Sequence, residues 1–142
     1  MFILLDNVPI SHPSMSTKCF NVHITEHLHI SENGIELFNK PVEFVWIQGV
    51  VTAAWPDSNQ FNLDDGTSSL LVISSGIDDD AYKLRVGDYV LVQGSVNKGE
   101  DELTGQSMVA IEARIVSPIQ DPNMESLWFL EVKDAILRSA RG

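Results

Sequence analysis

Two periodicities divide the chain. From Val42 to Val116 apolar residues come in short runs separated by Gly, Asp, Asn and Pro, whereas from Met124 to Ile136 they recur every three or four residues. The first pattern belongs to strands joined by turns, the second to a helix laid on a core. Phe44 to Ala54, rich in Val and Ile, predicts a long first strand with Gly49 at a bulge or tight bend. Trp55 to Asn59 is loop chemistry, Gln60 to Leu63 a short strand, Asp64-Asp65-Gly66 a turn, and Ser69 to Ser74 the returning strand of a hairpin. Gly76 to Leu84 sets Asp78, Asp79 and Asp80 ahead of Ala81, Tyr82 and Leu84, a charge order that favours a short helix. Val86-Gly87-Asp88 then turns the chain into a strand from Tyr89 to Val96. Asn97 to Gln106 reads as an acidic loop, and Met108 to Val116 as the last strand.

The segments before and after carry different signals. Asp6 to Thr17 holds two prolines and four Ser or Thr residues without periodicity, and reads as an arm that is disordered or draped on a neighbour. Cys19 to Ile24 alternates as a strand, with Ile35 to Phe38 as its return partner after the Asn33-Gly34 turn. At the other end Asp121 is placed to cap a helix and Pro122 suits its first position. Met124, Leu127, Trp128, Val132, Ala135 and Ile136 then share one face. Leu130 and Leu137, seven residues apart, point roughly the other way, and Phe129 widens the apolar side. A seam left over after the core has been served predicts a second protein.

A matching pair of segments bears on architecture. Trp46-Ile47-Gln48-Gly49-Val50-Val51 and Leu91-Val92-Gln93-Gly94-Ser95-Val96 share an apolar-Gln-Gly-x-Val order, as though two strands bend at equivalent points. Strands that bend in this way close into a small barrel. The fold class expected is all-β: a five-stranded OB-fold barrel with a short helix between strands 3 and 4, an N-terminal strand extension and a C-terminal α-helix. A β-sandwich with coincidental glycines is the alternative. The organisation expected is an arm over 1–17, the extension over 18–41, the barrel over 42–119 and a partner-docking helix over 120–142.

Composition narrows the function. The 20 Asp and Glu against 9 Lys and Arg leave a formal charge of -11, which repels phosphate. Strands and loops that would stack bases in an OB-fold offer Trp55 beside Asp57, and Phe61 near Asp64 and Asp65; Lys98 is followed by Glu100, Asp101 and Glu102. A direct nucleic-acid site is therefore not expected. The single cysteine, Cys19, excludes an internal disulfide framework, fits a reducing compartment, and reads as a small buried hydrophobe. Met1 to Leu5 is apolar but too short to span a bilayer and lacks basic residues before it, so neither a membrane span nor export is expected. His23, His27 and His29 would share one side of a strand, yet no fourth ligand accompanies them, and no metal or other cofactor is expected. No nucleophile elbow, phosphate loop, dinucleotide fingerprint or zinc-protease motif is present, so the chain is not read as an enzyme.

Three segments, Val45-Trp46-Ile47-Gln48-Gly49, Val86-Gly87-Asp88-Tyr89-Val90-Leu91-Val92 and Glu125-Ser126-Leu127-Trp128-Phe129-Leu130-Glu131-Val132, resemble the RecQ-mediated genome instability protein 2 family, in order from about Val42 to Leu137. The chain departs from the family's pattern at Asp121-Pro122, where the family has Asn-Pro, and in the loops around Gly76 and Glu100. The resemblance implies an OB-fold subunit that pairs with an OB-fold of the larger RecQ-mediated genome instability subunit. It further implies association with topoisomerase III and a Bloom-type RecQ helicase in double Holliday junction dissolution, a nuclear location, and receipt of a Fanconi anaemia M-type helicase peptide. It places Trp128 at the composite surface and Arg114 near the family's basic residue on the last strand. The expected partner-binding residues are Leu127, Trp128, Leu130, Val132, Leu137 and Arg114. The competing readings are a single-stranded DNA-binding OB-fold of the replication protein A or telomere-capping type, and a homodimer paired through the same helix.

Overall fold

The computed structural model describes residues 16–31, 34–38, 40–74, 84–100, 103–121 and 123–140. Its elements are, in order, β1 (Ser16–Lys18), α1 (Asn21–His27), β2 (His29–Ser31), β3 (Gly34–Leu37), β4 (Lys40–Pro41), β5 (Phe44–Trp55), β6 (Gln60–Asp64), β7 (Ser69–Ile73), β8 (Tyr89–Glu100), β9 (Ser107–Pro118) and α2 (Met124–Ala140). A 3-10 turn, Pro56–Ser58, joins β5 to β6.

β5 to β9 close on themselves. β5 pairs with β6, β6 with β7, β7 with β9 in parallel, β9 with β8, and β8 returns to β5. Closure removes the open edges at which a five-stranded sheet would recruit other strands. This is the predicted OB-fold barrel. Its interior is filled by alternate residues of every strand: Val45, Ile47, Val51, Phe61, Leu63, Val72, Val90, Val92 and Ile111 are each no more than 1% exposed. The two matched segments lie against each other, with Trp46 opposite Gln93 and Gln48 opposite Leu91. Their glycines serve close approach of backbones: a Cβ on Gly49 would lie 2.6 Å from the Asp64 carbonyl oxygen, and one on Gly94 would overlap that of Glu112. The register breaks nearby, between Val51 and Ala53 on β5 and between Ala113 and Ile115 on β9.

Three expectations are corrected. Cys19 to Ile24 is not a strand, because Asn21–His27 is helical and the return partner of Gly34–Leu37 is instead His29–Ser31. The cause is polar. The Asn21 backbone N–H donates to Asp65 Oδ2 at 2.7 Å, its side-chain Nδ2 to the carbonyls of Leu63 (3.0 Å) and Ser68 (2.9 Å), and the Val22 N–H to Thr67 Oγ1 at 3.1 Å. The turn between β6 and β7 thus satisfies the free N–H groups of the helix start, which no alternation in the sequence reveals. Second, Ser16 and Thr17, read as part of the arm, form a parallel ladder with Phe44 and Val45. Third, the loop expected over Asn97 to Gln106 is strand as far as Glu100, with Asn97 opposite Ala110 and Glu100 opposite Ser107. The helix expected over Gly76 to Leu84 lies, up to residue 83, outside the described residues.

The remaining small sheet, β2, β3 and β4, closes the barrel on the α1 side. Phe38, at its turn, has a left-handed backbone (φ 56°), and its ring meets that of His23 edge-on at 5.0 Å. Cys19 is fully buried, and burial pushes its thiol well above the usual range.

Candidate functional site on the C-terminal helix

Asp121 starts α2 as its sequence suggested. Its carboxylate accepts the Asn123 N–H at 2.9 Å and its carbonyl the Met124 N–H at 3.1 Å, so the helix proper opens at Met124 with Glu125 in its positive first turn. Pro122 lies outside the described residues. α2 rests on β1 and β5.

What holds it there is a narrow apolar ridge with one charged clasp. Trp128 is 3% exposed and Val132 fully buried, one turn apart, while Met124, Ala135 and Ile136 are partly covered. The Lys18 ammonium lies 5.9 Å from the Trp128 ring centroid and forms an ion pair with Glu131. Lys18 therefore ties β1 to the helix twice. On the flank, the Phe129 ring is 5.0 Å from that of Phe20, which stacks on His23 at 5.5 Å. Beneath the first turn, the Tyr89 hydroxyl donates to Gln48 Oε1 at 3.1 Å. Burial first, then the carboxylates of Glu125 and Asp65, pushes its pKa up to about 12.

The opposite side of α2 is bare. Leu130 is 65% exposed, Leu137 55% and Leu127 46%. Leu127, which helical spacing put on the barrel side and the partner-binding expectation put at the interface, is found on the outer side. Successive helix positions turn by roughly 100°, which puts it about 60° from Leu130 and about 100° from Trp128. The outer stripe thus runs through Leu127, Leu130 and Leu137, with Asp134 among them paired to Arg138 at 3.0 Å.

The six residues named from the sequence therefore fall into three groups. Leu127, Leu130 and Leu137 face outward together; Trp128 and Val132 lie behind them against the barrel; Arg114 stands apart, its guanidinium 4.1 Å from the Phe44 ring centroid where β5 begins. Sequence reasoning did not find Lys18, Glu131 or Phe20, whose roles depend on β1 and α1 meeting a helix more than a hundred residues away. The three histidines take the positions of a lined hollow, with Glu36 and Phe38, rather than of a strand face. His23 Nδ1 accepts the Phe20 N–H at 3.0 Å, and among the described residues no three or more His, Cys, Asp or Glu are grouped to hold a metal. No described helix is long and apolar enough to cross a membrane.

Comparison with known proteins agrees with this architecture. The family model of RecQ-mediated genome instability protein 2 matches residues 14–136. No curated protein matches the chain. Among solved structures, a chain of a replication protein A heterotrimer bound to single-stranded DNA superposes with a TM-score of 0.71 at 19% identity, covering 87% of this chain and 97% of its own. A chain of the S. pombe Stn1–Ten1 complex gives 0.67 at 17% identity, covering 87% and 95%. One from yeast Stn1 and Ten1 gives 0.57 at 13% identity, covering 88% and 74%. At these identities the structures establish the fold alone.

Proposed function

The chain belongs to the RecQ-mediated genome instability protein 2 family, and from that premise we propose that it is a non-catalytic adaptor whose mechanism is assembly. It docks the outer face of α2 against an OB-fold of the larger RecQ-mediated genome instability subunit. The pair then stabilises a nuclear complex of topoisomerase III and a Bloom-type RecQ helicase that dissolves double Holliday junctions. A Fanconi anaemia M-type helicase peptide is a further partner of the same assembly.

The observation that carries this reading is the stripe of Leu127, Leu130 and Leu137 on a helix whose other face is already spent on Trp128 and Val132. Its placement beside OB-folds from a heterotrimer and from a two-protein complex supports the same use. Magnitudes constrain the interface. Burying a leucine completely is worth about 1.5–3 kcal/mol, and these three are already roughly half covered, so together they supply only a few kcal/mol. A stable pair must overcome at least about 4 kcal/mol of lost freedom, so the contact extends beyond the stripe. Trp128 and Val132 serve it indirectly, by fixing the helix at the height where the leucines meet the partner, and Arg114 contributes charge at the rim.

The test is Leu130→Glu. Its side chain is exposed, so folding stability should change by no more than about 0.5 kcal/mol, while co-purification with the larger subunit's OB-fold is lost. Light scattering of the chain alone and with that OB-fold decides the stoichiometry. Pairing retained by Leu130→Glu would refute docking through the stripe, and a tight homodimer indifferent to the larger subunit would replace the heteropair. Salt-sensitive capture of a labelled single-stranded oligonucleotide by the isolated chain would instead favour the DNA-binding alternative.

A further inference from the structure

The barrel carries a second surface that α2 does not use. Residues paired across a ladder project to the same side, so the registers define rows across the barrel wall. One outward row runs Ser95, Glu112, Ile73, Gln60, Trp55, one residue from each strand in turn. The neighbouring row brings Asn97, Leu71 and Asn62 alongside it. Trp55 is turned out, and 46% exposed, because the break between Val51 and Ala53 sends Ala54 inward opposite Phe61. Neither row contains a Lys or Arg.

The chemistry of these rows selects an occupant. The side chains of Gln60 and Asn62 are hydrogen-bonded to no described residue, and each offers both donors and an acceptor, the complement of a peptide backbone. Ile73 and Leu71 form a half-buried apolar floor, with an exposed indole at one end and the Glu112 carboxylate near the other. Asp57 follows Trp55 in the next turn, and Asp64 lies further along β6. Within the two rows a phosphate backbone finds no cation. A second copy of a chain carrying a formal charge of -11 is repelled as well.

We infer that this wall of the barrel, from Trp55 to Glu112, binds an extended basic segment of another protein carrying at least one large apolar side chain. Three strand spacings of about 4.8 Å separate Trp55 from Glu112, roughly 14 Å, the reach of about four extended residues. In this arrangement the indole and the Ile73 floor take the apolar side chain, the amides meet the peptide backbone, and the carboxylates face Lys or Arg. Trp55, at one end of this surface, lies at the far end of β5 from Trp46, the residue that pairs with Lys18 under α2.

The experiment is a titration of the isotope-labelled full chain with a synthetic nonapeptide, Gly-Lys-Phe-Lys-Leu-Lys-Phe-Lys-Gly, followed by amide and indole resonances. Shifts should concentrate on Trp55, Gln60, Asn62, Ile73 and Glu112. Trp55→Ala should weaken binding roughly tenfold, and Glu112→Gln should lower its salt dependence. Leu130→Glu should bind the peptide as well as the parent chain does. Shifts spread over the whole acidic surface, or unchanged affinity in Trp55→Ala, would overturn the inference. So would stronger binding of labelled oligothymidylate or self-association through the same resonances.

Discussion

The two helices are held to one barrel by opposite means. α1, seven residues long, buries Ile24 and fixes its start by polar bonds: Asn21 reaches the Leu63 and Ser68 carbonyls while Asp65 and Thr67 accept its first N–H groups. α2, seventeen residues long, is held by Trp128 and Val132, with Lys18 and Glu131 as its clasp. A short helix has too little surface to be held by burial alone, so its position is set by directional bonds at one end. A long one can spend a single ridge on the barrel and keep a second face free. That spare face is what makes α2, and not α1, the element suited to a partner.

The comparison breaks most sharply at Trp128. Trp128→Ala should cost about 3–5 kcal/mol, seen as a large fall in the urea midpoint and as early exchange of α2 amides. Asn21→Ala should cost less, about 1–3 kcal/mol, because it strands the Leu63 and Ser68 carbonyls. Its loss should appear first in exchange of the α1 and β6–β7 turn amides. If Asn21→Ala loosened α2 as much as Trp128→Ala does, the two helices would not be separately anchored.

The same contrast explains what the sequence disclosed. Apolar spacing exposed the ridge and stripe of α2, and alternation with Gly49 and Gly94 exposed the barrel, because burial imposes a period that survives in one dimension. Spacing put Leu127 on the barrel face although it was also named for the partner surface, since it sits between the two faces, where periodicity alone does not decide. α1 was misread because Phe20, Val22 and Ile24 alternate like a strand, while its real determinant is a single Asn21 side chain meeting a turn more than forty residues later. Lys18 and Trp55 were legible as residue types. Their neighbours, and hence their uses, came only from the registers of β1 with β5 and of β5 with β6.

A finer test concerns the ionic contact that ties α2 to β1. A double-mutant cycle with Lys18→Met and Glu131→Gln should return a coupling of about 0.2–1 kcal/mol, since both partners are partly exposed. Added salt should lower it, whereas the Trp128 contribution should stand.

The smallest effect joins the helices. His23 Nδ1 accepts the Phe20 N–H, so the ring must stay neutral at that atom, and Phe20 is the residue that touches Phe129 of α2. Burial first, then the nearby His27, lowers the His23 pKa below its ordinary 6.5, with Asp65 opposing. A base whose pKa is lower folded than unfolded binds more protons when unfolded, so its contribution to stability is full above pH 6.5 and falls as pH drops toward the folded value. His23→Gln, whose amide oxygen can accept the same N–H without titrating, should flatten that decline relative to the parent chain in urea titrations between pH 7.5 and 5. A decline equally steep in His23→Gln would assign it to other groups. The helices would then be joined by ring packing alone, with no proton-sensitive link between the anchor of α1 and the flank of α2.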